Sequence, residues 1–574
     1  MGRPQVIRSR SRWLYALFVA GAVGLSGRLV YLQVVAAPHL SALAQQQHTH
    51  DVNLASVRGE IVDRNGRELA VSVDAASIYA QPSDYTMKPE AIAERLAPVL
   101  NQPLDQVRQE VAGSHWHWIV RQQEESIGHA VRAMKIPGIG VVRESKRLYP
   151  KGTLGATLLG FVGADNQGLA GIEHDFDKVL LGKARKLEVQ VDAHGREILR
   201  EGGSPLRSIQ TDGARVVLTL DETIQHIAQR ELAASLERLQ AKRGAVLVMN
   251  PENGDILAYA LMPTYDPNQY KGLAWESIKN WVANDVYEPG STMKVFTIAS
   301  ALDAGRITPA TRFDCPPTYS LAGHTISDHE APAGIRHLSP EDILQVSSNV
   351  GALQVGLRMP DTVHRDHLVR FGFGSVTGSG IHGESKGLLS PIPWPAVRQG
   401  SISFGYGISV TPLQILAAAS AIADDGRRHV PRLIDRVDAP DGHLLQAFPP
   451  ATPSQVVSPQ VARTVRQMLQ SVVERGTGTA ARVPGYNVAG KTGTANKSQG
   501  GGYSSNVIAS FLGFVPAEKP KLVILALIDS PQNAHFAAST AAPLFQAVAG
   551  ETLRYLGVPP TVPTTVEKPP DAPR

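Results

Sequence analysis

The chain has 574 residues, which is too long for a single domain of about 100–200 residues and predicts three or four units. Hydrophobic residues make up 43% and charged residues 19% of the chain, and these values exclude wholesale disorder and collagen-like repeats. The net charge of +4 is too small for this length to indicate nucleic acid as the main partner.

The cysteine content limits the chemistry further. Only one cysteine, Cys315, is present, so the chain has neither an internal disulfide framework nor a zinc site built on several thiolates. The stretch Asp314-Cys315-Pro316-Pro317 is typical of a turn, and no reactive-cysteine signature surrounds it. We therefore do not expect catalysis at this thiol.

The N-terminus predicts a membrane anchor. Four arginines precede an uncharged apolar run over 13–27, and the apolar pattern continues past Arg28 to Val35. A transmembrane helix needs about 20 residues, and an arginine near a helix end can reach the lipid headgroups. We therefore predict a span over 13–35, and the basic cluster before it places residues 1–12 in the cytoplasm and exports the rest.

A cleaved signal peptide is the competing interpretation of this segment. The small residues of Val35-Ala36-Ala37 suit a cleavage site, but Pro38 follows immediately and hinders cleavage. The sequence therefore favours a retained anchor.

The region from 36 to 211 combines strand-like pieces with turn signals. Asn65-Gly66 stands between two short apolar runs and predicts a two-residue hairpin in which both residues have positive φ. His115 and His117 alternate with tryptophans, so a strand there would place both imidazoles on one face. A metal site would need more ligands, and a packed or surface strand is the favoured interpretation.

The second half of the chain predicts a sheet covered by helices. Asp221 suits the N-cap of a helix with apolar residues on one face, and a final helix is expected over 541–556. The strand-like segments are 245–249, 255–259, 488–495, 507–515 and 522–528. Strands at both ends and helices between them indicate an antiparallel sheet sandwiched by helices. The proline-rich stretch from 558 onward predicts a disordered tail.

The first motif that can carry chemistry is Ser291-Thr292-Met293-Lys294, which follows Pro289-Gly290 at a helix N-terminus. Residues three apart share a helix face, so the Lys294 amine can approach the Ser291 hydroxyl. A serine becomes a nucleophile when a base takes its proton, and a lysine can be that base if burial or another cation lowers its pKa. Taken alone, S-x-x-K more often marks a capping serine with an exposed lysine.

Two further motifs follow at Ser347-Ser348-Asn349 and Lys491-Thr492-Gly493-Thr494. S-x-N alone is weak, since Ser504-Ser505-Asn506 repeats it, and a lysine on a strand is usually a solvated charge. Gly493 would remove a side chain where a substrate backbone could pair with the sheet edge. The three motifs in this order form the signature of penicillin-binding proteins and class A β-lactamases.

The chain resembles a class B penicillin-binding protein, a monofunctional peptidoglycan D,D-transpeptidase, and within that group the division-specific FtsI type. The resemblance runs from the anchor to about residue 557. Besides the three motifs it rests on Arg58–Ala70, Arg147–Pro150, Gly168–Glu173 and Ser403–Gln414. The N-terminal half shows no glycosyltransferase signature, which argues against a bifunctional class A enzyme.

This resemblance implies an α+β architecture: a transmembrane helix, a mixed α/β pedestal of the dimerisation type, and a serine β-lactamase-like transpeptidase domain with an antiparallel five-stranded sheet between helices. The expected divisions are a cytoplasmic N-terminus at 1–12, the anchor at 13–35, the pedestal at 36–211, the transpeptidase domain at 212–557 and the tail at 558–574.

The resemblance also implies roles for the motif residues. Ser291 attacks the penultimate D-alanine carbonyl of a stem peptide with Lys294 as general base, and Ser347 passes a proton to the leaving D-alanine. Asn349 orients Lys294 and the substrate amide, and Lys491 supplies positive potential.

The third motif would bind substrate through Thr492, Gly493 and Thr494. The hydroxyls of Thr492 and Thr494 would bind the substrate carboxylate, and the amides of Ser291 and Thr494 would form an oxyanion hole. No metal or organic cofactor is implied. The glycine-rich run over 372–383 lacks the Gly-Lys-Ser/Thr ending of a phosphate loop.

The sequence leaves several alternatives open. The same nucleophile serves D,D-carboxypeptidases and β-lactamases, which pass the acyl group to water rather than to an amine. An elongation-specific transpeptidase, a penicillin-sensing receptor and a catalytically inert scaffold are the others.

The implied partners are D-alanyl-D-alanine stem peptides, lipid-linked nascent glycan, β-lactams, a polytopic glycosyltransferase of the FtsW type and other division proteins. The implied location is the inner (cytoplasmic) membrane, with one span, a periplasmic catalytic domain and enrichment at the division septum.

Overall fold

The structure, a computed structural model of the chain, describes residues 3–40, 49–54, 57–182, 185–190, 213–329, 332–499 and 502–563. The disordered tail expected over 558–574 is thus described only as far as residue 563, and the rest of that prediction lies outside the described residues. Residues 558–563 pack on the body of the molecule, since the Thr561 N–H donates to the Gly485 carbonyl at 2.8 Å.

The helices are numbered from the N-terminus. In chain order they are α1 (Arg3–Val30), α2 (Pro89–Leu100), α3 (Leu104–Val111), α4 (Glu125–Ala133), α5 (Ala156–Leu159), α6 (Gly171–Asp175), α7 (Asp177–Leu181), α8 (Glu222–Leu239), α9 (Trp275–Ile278), α10 (Trp281–Asn284), α11 (Met293–Asp303), α12 (Pro340–Gln345), α13 (Asn349–Leu357), α14 (Asp361–Arg370), α15 (Ala396–Ser403), α16 (Pro412–Ala423), α17 (Pro459–Arg475) and α18 (Ala541–Tyr555).

The strands are numbered in the same way. They are β1 (Thr49–Leu54), β2 (Ile61–Val62), β3 (Glu68–Ala80), β4 (His117–Gln123), β5 (Ile139–Leu148), β6 (Arg185–Gln190), β7 (Arg215–Leu218), β8 (Arg243–Met249), β9 (Ile256–Met262), β10 (Phe313–Cys315), β11 (Thr318–Leu321), β12 (His324–Ser327), β13 (Arg336–Leu338), β14 (Arg427–Arg428), β15 (Ile434–Asp438), β16 (Leu444–Ala447), β17 (Ser454–Gln455), β18 (Ala489–Gln499), β19 (Gly502–Val515) and β20 (Leu522–Asp529).

The first compact unit comprises residues 1–57 and 182–212. Its long helix α1 continues through a π-helical turn at Tyr31–Val35. Residues Arg12–Val35 are long and apolar enough to cross a membrane, and their apolar window is 0% buried against the rest of the protein. In the same unit β1 pairs with β6 in antiparallel fashion.

The second unit comprises residues 58–181 and 213–574 and contains an antiparallel five-stranded sheet in the order β18-β19-β20-β8-β9. Alternating residues of β8 face opposite ways, as the period of a strand requires. Val246 and Val248 belong to a core with α8 and α18, whereas Leu247 belongs to a core with α11 and α16. The five-stranded sheet sandwiched by helices is therefore confirmed, and so are the helix capped by Asp221 and the predicted strands.

A second sheet runs in the order β16-β15-β7-β2-β3-β4, with β5 also paired to β3. Its β2–β3 turn differs from the two-residue hairpin predicted at Asn65-Gly66, because only Gly66 has positive φ. The Asp63 carboxylate accepts the N–H groups of Asn65 and Arg67 at 2.7 and 2.9 Å. This side chain stabilises a longer turn, and a register shift follows between Ile61 and Val62.

Two local predictions were wrong for identifiable reasons. His115 precedes β4, which begins at His117, and the His117 ring is bonded to the carbonyls of Glu110 and His115. With the His117 ring held in this way, the alternating strand that the sequence suggested does not extend back to His115. Cys315 ends strand β10 instead of lying in a turn, because β10 pairs with β13.

Candidate active site

Ser291 lies in a one-turn 3-10 helix, Gly290–Thr292, that leads into α11. Gly290 has φ of 56°, which a glycine adopts at little cost, and its N–H donates to the Gly405 carbonyl at 3.1 Å. A Cβ on Gly405 would lie 2.0 Å from the Gly290 carbonyl oxygen. The two glycines therefore allow the Ser403–Gly405 backbone to support the turn closely, while Ser291 itself stays partly exposed.

The first two motifs meet at the Lys294 amine. Its Nζ donates to the Ser347 carbonyl at 2.6 Å and to Asn349 Oδ1 at 2.8 Å, and lies 3.3 Å from Ser347 Oγ. None of the hydrogen bonds between described residues joins Lys294 to the Ser291 hydroxyl. Lys294 is thus seated on the S-x-N motif, one helical turn after the serine that it is expected to activate.

The environment of Lys294 favours its neutral form. Burial lowers the pKa of this fully buried amine well below the usual value, the nearby Lys491 lowers the pKa further, and Asp328 opposes both effects. A neutral amine has two hydrogens, which match the two carbonyl-type acceptors at Ser347 and Asn349. Its lone pair then remains free to accept a hydroxyl proton.

Lys491 approaches the same hydroxyl from β18. Its Nζ donates to Ser347 Oγ at 2.9 Å and to the Thr492 carbonyl at 3.0 Å. Burial lowers the pKa of Lys491 to about 7. Ser347 Oγ therefore lies between two buried amines, and Ser347 holds this place with φ of 58°, an uncommon value for a residue with a side chain.

The third motif lies on the free edge of the five-stranded sheet, because β18 pairs only with β19 there. Every second N–H of an edge strand points away from its neighbour. A Cβ on Gly290 would come within 3.2 Å of the Thr494 carbonyl oxygen, so the nucleophile turn lies directly against this edge. The Thr494 hydroxyl accepts the Ala537 N–H at 3.2 Å.

The structure explains the glycine at position 493 differently from the sequence. A Cβ at this position would meet Ser510 Oγ at 2.5 Å and Thr292 Cγ2 at 2.9 Å. The space that the glycine leaves is therefore filled by the chain itself, which brings β18 close to the nucleophile turn, and not by an incoming substrate backbone.

Asp328, which carries no sequence signal, holds the S-x-N motif in place. Its carboxylate accepts the Ser348 hydroxyl and the Asn349 N–H at 2.5 Å each and the Val350 N–H at 2.9 Å. It also pairs with Arg336. Asp328 thus satisfies the first N–H groups of α13, as an anion at a helix N-terminus does, but it belongs to no motif and lies 20 residues earlier in the chain.

A second residue without a sequence signal is Thr477, whose hydroxyl lies 2.7 Å from the Thr492 hydroxyl. Its backbone N–H donates to the Gln345 carbonyl at 3.2 Å. Thr477 therefore connects the third motif with the segment that precedes the second. Cys315 lies beside this network, since its thiol is hydrogen-bonded to the Ser348 side chain, and burial raises the pKa of the thiol to about 11.

No group of three or more histidine, cysteine, aspartate or glutamate side chains suited to a metal ion occurs among the described residues. The arrangement instead provides a partly exposed hydroxyl, two amines with lowered pKa values, a carboxamide and an open strand edge. Such a set can activate a serine, move a proton and hold an extended peptide.

Comparison with known proteins agrees with this arrangement. The family model described as penicillin binding protein transpeptidase domain matches residues 244–550, and the model described as penicillin-binding protein dimerisation domain matches residues 53–218. Two similar relatives are the peptidoglycan D,D-transpeptidase FtsI of Escherichia coli K12 and a probable peptidoglycan D,D-transpeptidase, PenA, of Neisseria meningitidis. FtsI is 33% identical, over 97% of this chain and 94% of its own. PenA is 34% identical, over 98% of this chain and 95% of its own.

Among solved structures, penicillin binding protein 3 of Mycobacterium tuberculosis complexed with aztreonam superimposes with a TM-score of 0.70. It is 29% identical, and the match covers 89% of this chain and 99% of that one. The likeness extends over the transpeptidase and dimerisation domains, and the order of the three motifs agrees with it. The chain therefore belongs to the class B penicillin-binding proteins.

Proposed function

We propose that this protein is a peptidoglycan D,D-transpeptidase that crosslinks stem peptides through an acyl-enzyme on Ser291. The observation that carries the proposal is the Ser347 hydroxyl, held 2.9 Å from Lys491 and 3.3 Å from Lys294. Both amines are buried and have lowered pKa values. This chain of groups can move a proton between nucleophile and leaving group without a metal or cofactor.

In the acylation step, Lys294 accepts the Ser291 proton as Ser291 Oγ attacks the carbonyl of the penultimate D-alanine. The bond to the terminal D-alanine nitrogen breaks, and that nitrogen receives a proton through Ser347 from the two lysines. Because Lys294 is neutral before the step, it can take the proton without first losing one of its own. Asn349 accepts from Lys294 and keeps the amine oriented.

Charge that develops on the substrate carbonyl oxygen needs donors at fixed positions. We assign these to the backbone N–H groups of Ser291 and Thr494, since the turn at Gly290 packs on Thr494. One such donor contributes about 10²–10³ in rate. The hydroxyls of Thr492 and Thr494 would bind the substrate carboxylate, with Lys491 supplying the positive potential.

The acyl group then passes to an amine of a neighbouring stem peptide, which forms the crosslink and frees Ser291. The relatives named as D,D-transpeptidases support an amine as acceptor. Transfer to water, as in a D,D-carboxypeptidase or β-lactamase, uses the same acyl-enzyme. Incubation with crosslinkable muropeptides distinguishes the two, because the transpeptidase yields dimers whereas hydrolysis yields only shortened monomers.

The decisive test of the nucleophile is covalent labelling by a fluorescent penicillin. We expect the wild-type protein to be labelled stoichiometrically and Ser291→Ala to remain unlabelled. Thr297→Ser, in the following helix α11, is a control that keeps the hydroxyl which donates to the Ser403 carbonyl at 2.9 Å. Labelling that persists in Ser291→Ala would falsify the assignment of this serine.

We further propose that residues 13–35 anchor the protein in the cytoplasmic membrane, with residues 1–12 inside and the catalytic domain outside. The length and hydropathy of this helix and the arginines before it support this orientation. The expected divisions at 36–211, for the pedestal, and 212–557, for the transpeptidase domain, are close to the two family matches and are part of the proposal.

A division role is proposed from the likeness to FtsI, with lipid-linked glycan and a polytopic glycosyltransferase of the FtsW type as partners. A tagged copy should concentrate at midcell, and an unrelated span in place of residues 13–35 should weaken recovery of the glycosyltransferase. A lateral, dispersed signal would instead favour the elongation role.

A further inference from the structure

A cavity of about 590 Å³ lies within the unit of residues 58–181 and 213–574. One wall comes from residues 157–176 and the other from residues 275–284, with 379–383 beside them. Its volume is in the range of about 300–1,000 Å³ typical of sites for small ligands. None of its lining residues takes part in the acyl-transfer chemistry proposed above.

The lining combines a buried apolar wall with an exposed indole. Phe161, Ile172 and Leu433 line the cavity and are each buried, whereas Trp275 lines it with 68% of its surface exposed. An indole that faces solvent beside a cavity presents a flat apolar surface. Such a surface can stack on the apolar face of a ring-shaped ligand.

Polar groups around the same cavity are available to a ligand. Asn280 accepts the Tyr259 hydroxyl on its amide oxygen at 2.7 Å, which leaves the amide N–H groups as donors. The imidazoles of His174 and His382 stand beside each other, with ring centroids 5.6 Å apart.

We propose that this cavity binds an N-acetylated sugar of the glycan strand that carries the stem peptides, an inference that rests on the proposed function. A pyranose ring has an apolar C–H face, which suits the Trp275 indole, and a rim of hydroxyls, which suits Asn280 and the imidazoles. Its acetamido group needs an apolar wall for the methyl and a donor for the carbonyl. Phe161 provides the wall, and the amide N–H groups of Asn280 are the donors.

The cavity wall is continuous with the nucleophile turn. After Asn284 the chain is fastened by three bonds: Tyr287 N–H to the Val410 carbonyl at 2.9 Å, Gly407 N–H to Glu288 at 2.7 Å and Gly290 N–H to the Gly405 carbonyl at 3.1 Å. A sugar bound at this wall therefore lies against the segment that leads into the nucleophile turn.

The test uses the full-length protein in detergent and a peptide-free disaccharide of N-acetylglucosamine and N-acetylmuramic acid, measured by saturation-transfer NMR and calorimetry. We expect saturable binding that Trp275→Ala weakens at least tenfold and Trp275→Phe largely retains. Trp116→Ala removes another exposed indole, away from the cavity lining, and should bind like the wild type. Melting temperatures verify that the Trp275 variants are folded.

Ser291→Ala separates this inference from the proposed function, since it should bind the disaccharide normally while it remains unlabelled by penicillin. The inference is overturned if the disaccharide does not bind up to its solubility limit, or if the wild type and Trp275→Ala bind it equally. A protein that binds the disaccharide but fails to react with penicillin would overturn the proposed function alone.

Discussion

Two buried amines share one hydroxyl at this site, and this arrangement has a cost for folding. Lys491 is fully buried, and the described ion pairs give it no carboxylate partner, so its charged form is disfavoured and its pKa falls to about 7. An unfolded lysine has a pKa of about 10.4. Between these values the unfolded chain binds one proton more than the folded protein, so the Lys491 contribution to stability increases with pH in this window.

We therefore expect the wild type to gain stability relative to Lys491→Met as the pH rises, by about 2 kcal/mol between pH 7.5 and 9. Methionine fills a similar volume and does not titrate. Denaturant unfolding of both proteins across this range measures the difference. Lys519→Met, which changes an exposed lysine, is the control and should show no such trend, and parallel curves for wild type and Lys491→Met would contradict the lowered pKa.

Asp328 should affect the acylation rate by positioning the S-x-N motif and not by taking part in the chemistry. Asp328→Asn keeps the shape of the side chain but replaces one acceptor oxygen by an NH₂ group. The backbone N–H groups of Asn349 and Val350, which now donate to the carboxylate, would then face another donor, and Arg336 would lose its charged partner. The S-x-N turn should then shift from Lys294. We expect penicillin acylation to slow by about tenfold or more, the scale of one lost charge-assisted bond of about 1.5–3 kcal/mol.

The acylation rate of Asp328→Asn is best measured across pH, because a displaced Asn349 also changes the environment of Lys294. Asp314→Asn is the matched control, since Asp314 lies on neighbouring β10 but is exposed and pairs only with His337 among the described ion pairs. An Asp328→Asn enzyme with the wild-type rate and pH profile would show that α13 holds the motif without this carboxylate.

At the scale of elements, the closeness of β18 to the nucleophile turn depends on Gly493. In Gly493→Ala the added methyl would lie 2.9 Å from Thr292 Cγ2 and 2.5 Å from Ser510 Oγ, so the strand and the turn must separate. The oxyanion donors assigned to Ser291 and Thr494 would then no longer converge. We expect acylation to fall about 100-fold or more, with a smaller effect on melting temperature.

A second substitution tests this explanation directly. Thr292→Ser removes the clashing Cγ2 and retains the hydroxyl that donates to the Pro289 carbonyl at 2.8 Å. Gly493→Ala combined with Thr292→Ser should therefore regain part of the lost acylation rate, whereas Thr292→Ser alone should have little effect. Equal acylation rates in Gly493→Ala and in the double variant would refute the steric argument.

The strength of sequence inference also differs by element. Strands β8, β19 and β20 could be predicted because continuous Val/Leu/Ile runs suit a sheet buried on both faces, and motif order brought Lys294, Ser347 and Lys491 to one site. The β2–β3 turn could not be predicted, because the Asp63 side chain decides its length. Asp328 could not be found because only the folded backbone places it at α13.

At the scale of the whole molecule, the second unit contains a buried ionic network that lies far along the chain from the catalytic motifs. Glu173 accepts from Arg58 at 2.6 Å and from Arg147 at 2.7 Å, and all three side chains are at most 1% exposed. Arg147 also donates to the Gly59 carbonyl at 2.7 Å. The network thus joins the segment before β2, the end of β5 and helix α6, three segments that the family resemblance singles out only as sequence patterns.

We expect Glu173→Gln to destabilise the protein by about 3–5 kcal/mol, because it leaves two guanidinium groups buried with less compensating charge. Glu551→Gln provides the contrast, since its pair with Arg230 is solvent-exposed and should contribute at most about 1 kcal/mol. Chemical unfolding gives both values.

Well below the melting temperature, penicillin acylation of Glu173→Gln should match the wild type, because no member of the network contacts the catalytic residues. If stability is unchanged, the network is dispensable for the fold; if acylation falls in a folded variant, this part of the molecule acts on the active site.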